Sequence, residues 1–192
     1  FAHSTRPITI SNANQYVDSP IETAIVLNTP FSIIRTIGKT VYENPNYFKA
    51  EELNSKFSPI HNHADGEFKD LNVVIIILES IGQEYIDYGY APFLKQLQEN
   101  GLSFKTTLSN GRKSIDAMPS VLSSIPMFIE PYISTHYSTN NVSGIAAELG
   151  KVGYHSAFFH GAPNGSMGFQ AFARTTGWKE YYGKTEYNND AD

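Results

Sequence analysis

Cysteine is absent from the chain, which excludes disulfides and thiolate-bound metals. The absence leaves the compartment open, because a secreted domain of this size can do without disulfides. Charge is sparse as well: Asp, Glu, Lys and Arg make up 17% of the residues, the net charge is −5, and no Lys/Arg cluster occurs. Neutralising a phosphate backbone needs such a cluster, so no nucleic-acid partner is expected. Long apolar runs are also missing. The longest is Val73–Leu78, far short of the roughly 18 residues of a membrane span. There is no Gly-rich phosphate loop, no GxSxG elbow, no internal repeat and no low-complexity tract. The first residue is Phe1 rather than Met, so any signal or anchor upstream lies outside the chain.

Hydrophobic residues make up 41% of the chain, enough for a core. Residues 1–70 show weak periodicity and are punctuated by Pro7, Pro20, Pro30, Pro45 and Pro59. They read as an extended arm that packs on the domain, with one helix near Thr29–Tyr42 capped by Thr29. The pattern changes at Leu71. NVVIIILES is apolar on both faces and predicts a buried parallel strand. APFLKQLQENG predicts a helix with Phe93, Leu94 and Leu97 on one face and Gly101 as its stop. LSFKTTLS (102–109) predicts a second strand, Ser114–Ser124 a helix, Asn141–Tyr154 another, and HSAFFHG (155–161) a third strand. A last helix begins within 165–178. This order gives an α/β fold, a largely parallel sheet flanked by helices.

Ligands in open α/β sheets gather at the carboxyl ends of strands. Glu79, the Asn110–Ser114 turn and the His160–Asn164 turn fall at such ends. Glu79 is a hard oxygen donor for a divalent metal, or a cap where the strand exits. Ser114 at a helix N-terminus is either an ordinary cap or a nucleophile favoured by the positive end of the helix dipole. Lys113 could neutralise phosphoryl charge. His160 and Asn164 are candidates for hydrogen bonds to a substrate oxygen, and a structural histidine bonded to a loop carbonyl is the alternative for His160. The His61–His63 pair reads as exposed. Trp178, Tyr181, Tyr182 and Tyr187 read as packing residues.

NVVIIILES, APFLKQL, GRKSIDAMPSVLSSIP and GYHSAFFHGAPNGSMGF stand in an order and spacing that resembles the sulfatase-like phosphoglycerol and phosphoethanolamine transferases, the lipoteichoic acid synthase type within the alkaline phosphatase superfamily. The resemblance covers about 70–188. It implies that 71–192 is the amino-terminal part of a catalytic domain, incomplete, and that 1–70 is a linker after an upstream membrane anchor. It also implies a metal-dependent transfer (Mn, Mg or Zn) of a phospholipid head group to a glycan or lipid acceptor, outside the cytoplasm. Glu79 is implied as a metal ligand, Ser114 as nucleophile and ligand, and Lys113, His160 and Asn164 as substrate contacts, the remaining ligands lying downstream. Ser114 is followed by Ile115, Asp116, Ala117 and Met118, so the CxPxR or SxPxR motif of true sulfatases is missing. Ala162, Met167 and Phe169 stand where the lipoteichoic acid synthase type carries Asp, Trp and Arg for glycerol phosphate. The chain alone is expected to be inactive, and either to self-associate through its unpaired sheet edge or to have the arm rearranged over the gap. Two rival readings are a sulfatase or phosphodiesterase on the same fold and a non-catalytic extracellular binding module.

Overall fold

The computed structural model describes residues 13, 16–17, 22–38, 45–61 and 66–189. In chain order the helices are α1 (Thr23–Val26), α2 (Thr29–Thr36), α3 (Ala50–Lys56), α4 (Gln83–Asp87), α5 (Pro92–Asn100), α6 (Ser114–Ser123), α7 (Ile145–Gly150), α8 (Phe169–Thr175) and α9 (Lys184–Tyr187). Strands β1 (Ala157–Phe159) and β2 (Glu180–Tyr182) flank α8. Tighter helical turns occupy Tyr132–Ser134, His136–Thr139 and Ser166–Gly168. The chain divides into two compact units, one formed by Phe1–Tyr42 with Leu108–Asp192 and the other by Glu43–Thr107.

The first unit holds the core. Ile115, Met118 and Leu122 recur on one face of α6 and meet Tyr132, Ile133, Phe169 and Phe172. The Tyr132 and Phe172 rings cross edge to face at 6.3 Å, a geometry the ring quadrupoles favour. Both β strands are short and run parallel, pairing Ala157 with Glu180, Phe158 with Tyr181 and Phe159 with Tyr182. Parallel neighbours need a long crossover, and the segment carrying α8 supplies it. Alternation along β1 sends Phe158 to the core, where it stacks on Tyr181, and leaves Phe159 exposed against Tyr182. The packing role read for Trp178 and Tyr181 agrees with this arrangement, since both lie against the core cluster.

Several elements differ from the sequence reading. NVVIIILES is not a strand. Residues 71–78 have no strand assignment, and every side chain from Val73 to Leu78 is exposed, Val74 at 80%. A β-branched run supplies propensity, but a strand needs a neighbour to take its N–H and C=O groups. Among the described residues the only ladder joins β1 to β2. LSFKTTLS (102–109) fails for the same reason, with Leu102, Phe104 and Leu108 exposed. The helix near Asn141–Tyr154 shortens to Ile145–Gly150, with Gly144 at its N-cap. The expected helix in 165–178 starts at Phe169, because Gly165, Met167 and Gly168 all take left-handed φ values ahead of it. Among its described residues the arm shows the short helices α1, α2 and α3 rather than one; α2 ends at Thr36, and 39–44 lie outside the described residues. His61 is exposed as read, and His63 lies outside the described residues. No described helix is long and apolar enough to cross a membrane.

The second unit carries α3, α4 and α5. Pro92 opens α5 at its first position, as its missing N–H allows, and α4 packs against α5.

Gly177 joins α8 to β2 at φ +93°, and a β-carbon there would stand 2.7 Å from the Ala147 β-carbon and 2.9 Å from its backbone nitrogen. Backbone atoms cannot yield as a flexible side chain does. Gly177→Ala is expected to cost about 2 kcal/mol or more, read as a lower urea midpoint at unchanged m-value.

Candidate active site

Ser114 is the first residue of the ten-residue helix α6, and Lys113 in extended geometry (φ −132°, ψ 153°) is its N-cap. Ser114 is half-buried and the Lys113 side chain is exposed. The loop before them is pinned from inside the helix. Asp116 is only 3% exposed. Its Oδ2 accepts the backbone N–H groups of Arg112 and Lys113, both at 3.2 Å. That folds the loop onto the first turn, where a carboxylate is also favoured by the helix dipole. Gly111 makes the fold-back possible: a β-carbon at that position would lie 2.3 Å from the Asp116 β-carbon. Asn110 holds the other side of the loop, its Oδ1 accepting from the Ser120 hydroxyl at 3.1 Å and from the backbone N–H of Met127. Ser114 therefore stands at a loop–helix junction fixed at several points. Asp116 and Asn110 are positioning residues whose hydrogen bonds only the structure shows. The D at the third helical position was the available signal.

His160 follows β1 directly. Its backbone N–H donates to the Tyr182 carbonyl at 2.8 Å, extending the ladder by one residue. The imidazole packs on Phe169 with centroids 4.7 Å apart, and its Nδ1 lies 2.9 Å from the Tyr181 hydroxyl. Burial lowers the His160 pKa below its ordinary value, so the ring is neutral at pH 7. Burial, and then the nearby Glu186 carboxylate, raise the Tyr181 pKa to about 12. Asn164 uses its side chain locally. Its amide nitrogen donates to both Glu186 carboxylate oxygens, at 3.0 and 2.9 Å, and its Oδ1 accepts from the Thr185 N–H at 3.2 Å. These bonds tie the His160–Asn164 turn to the start of α9.

Lys113, Ser114, His160 and Asn164 belong to one unit, and α6 and β1 pack on one apolar cluster through Ile115 and Phe158. Glu79 belongs to the other unit. It sits in the turn that ends the apolar run, with Ser80 at φ +55° donating its hydroxyl to Glu79 Oε1 at 3.1 Å. Among the described residues no group of three or more His, Asp or Glu side chains could hold a metal ion. A divalent ion asks for more donors than Glu79 and Ser114 provide. The described residues do not make a metal centre.

Among the described residues, a two-stranded parallel sheet with helices fits an incomplete α/β fold. The family model described as Sulfatase matches residues 71–192, and the chain belongs to that family, within the alkaline phosphatase/sulfatase superfamily. Domains of this family generally use divalent metals. Comparison with curated proteins gives no match, and neither does comparison with solved structures.

Asp116→Ala removes two hydrogen bonds to loop amides and is expected to cost about 1–2 kcal/mol, measured by urea unfolding, with faster hydrogen exchange at Arg112 and Lys113. For His160 the folded pKa lies below the unfolded value of 6.5. Its contribution is therefore present above pH 6.5 and lost as pH falls through the folded pKa, because the unfolded chain binds the proton more readily. His160→Gln is expected to flatten the acid side of a stability–pH profile below pH 6.5.

Proposed function

We propose that this chain carries the nucleophile-bearing part of a phospholipid head-group transferase acting at the outer face of a membrane. The observation that carries the reading is Ser114 at the first position of α6, on a loop pinned by Asp116, without the CxPxR or SxPxR motif of enzymes that convert this residue for sulfate-ester hydrolysis. In the reaction the Ser114 oxygen attacks the head-group phosphorus. The bond from phosphorus to the diacylglycerol oxygen breaks, and that oxygen gains a proton as the serine loses one. An acceptor hydroxyl on a glycan or lipid then displaces Ser114 from the phosphorus and restores it. The Lys113 ammonium suits the charge on the phosphoryl oxygens. His160 is the proposed hydrogen-bond contact to the substrate. The exposed Val73–Leu78 run supports self-association of the 192-residue chain by itself.

The sulfatase family match supports a second reading, ester hydrolysis on the same scaffold. It differs in sending the group to water.

Incubating the full-length protein with head-group-labelled phospholipid and manganese is expected to give a phospho-head-group adduct on the Ser114 peptide by mass spectrometry. Ser114→Ala is expected to abolish the adduct and to lower turnover by about 10³-fold or more. Turnover retained in that variant would sink the assignment, and release of the labelled group to water alone would select hydrolysis.

A further inference from the structure

Tyr181 is held by two partners. It pairs with Phe158 across the ladder, its ring stacks on Phe158 at 5.5 Å with planes 7° apart, and its hydroxyl reaches His160 Nδ1 at 2.9 Å. Phe158 is itself braced edge to face by Trp178 at 5.5 Å. His160 is held from its other face by Phe169, itself a core residue only 6% exposed. Neither ring is therefore placed by a single flexible contact.

A neutral imidazole carries one proton, on Nδ1 or on Nε2, and the partner of one nitrogen decides which. A tyrosine hydroxyl donates better than it accepts, because the ring draws on its oxygen lone pair. An unprotonated imidazole nitrogen is a strong acceptor. The Glu186 carboxylate near Tyr181 and the hydroxyl's half-buried position both disfavour the phenolate, so the hydroxyl keeps its proton to give. We propose that Tyr181 is a positioning residue that donates to His160 Nδ1, fixes the imidazole proton on Nε2, and so makes His160 a hydrogen-bond donor to an anionic phosphoryl or ester oxygen. This inference rests on the reading of His160 as a substrate contact and deepens it. The site then selects a ligand that presents an acceptor oxygen, and it disfavours one that presents a donor there, since two donors would face each other.

The test separates this inference from the transferase reading. Proton–nitrogen correlation spectra of the isotope-labelled 192-residue chain report the tautomer directly. The expected result is His160 protonated on Nε2, with Tyr181→Phe moving the population toward a mixture of the two tautomers. A proton on Nδ1 in the unsubstituted chain overturns the proposal, as does an unchanged tautomer ratio in Tyr181→Phe. Should Tyr181→Phe fail to fold, the unsubstituted spectrum decides alone. In the full-length protein, Tyr181→Phe is expected to slow Ser114 labelling about fivefold, the loss of one neutral hydrogen bond. His160→Gln, whose amide can stand in for Nε2–H, is expected to retain more labelling than His160→Asn, whose amide stands at the Nδ1 position. The reverse order overturns the proposal. If Ser114 is never labelled, the transferase reading fails, and the spectrum still decides the tautomer.

Discussion

The apolar cluster shared by α6, β1 and α8 is the constraint on which the rest of the first unit depends. Met118 and Leu122 enter it from α6, Phe169 and Phe172 from α8, and Phe158 packs against it from β1. Burying side chains of this size is worth about 1.5–3 kcal/mol each, and several of them act together. The same contacts set where the polar residues stand. Ser114 precedes Ile115 by one residue, and His160 follows Phe158 by two. Each polar group is thus placed by an apolar neighbour that has little freedom to move.

On that base the polar loops are locked by short-range bonds. Asp116 gathers two loop amides, Asn110 reaches both Ser120 and Met127, and Asn164 bridges to Thr185 and Glu186. These are local devices built from side chains that compete for backbone groups in turns. They cost little to encode, and they leave Ser114 and His160 at the edges of rigid elements. Sites built on rigid elements are better preorganised than those on free loops.

Much of this local layer was legible from residue order. The helix read over 114–124 is found at Ser114–Ser123, the strand read over 155–161 is found at Ala157–Phe159, and the position of Ser114 at a helix start followed from the turn residues before it. Asn164 was read as a possible substrate contact, and the structure shows its amide hydrogen-bonded to the turn beside it. Strand β2 was missed, because EYY is three residues long and becomes a strand only through its pairing with AFF. The run at Val73–Leu78 was read as a buried strand and is exposed.

Motif order by itself pointed to the superfamily to which residues 71–192 belong. That membership resides in residue identity and spacing, which a linear chain states outright. Tertiary structure alone decided which strands exist, that Asp116 is buried beneath the Ser114 loop, and that Tyr181 meets His160. Each of these needs a partner from elsewhere in the chain, about twenty residues away for Tyr181 and for β2. A strand propensity or a lone imidazole carries no record of that partner until the chain has folded.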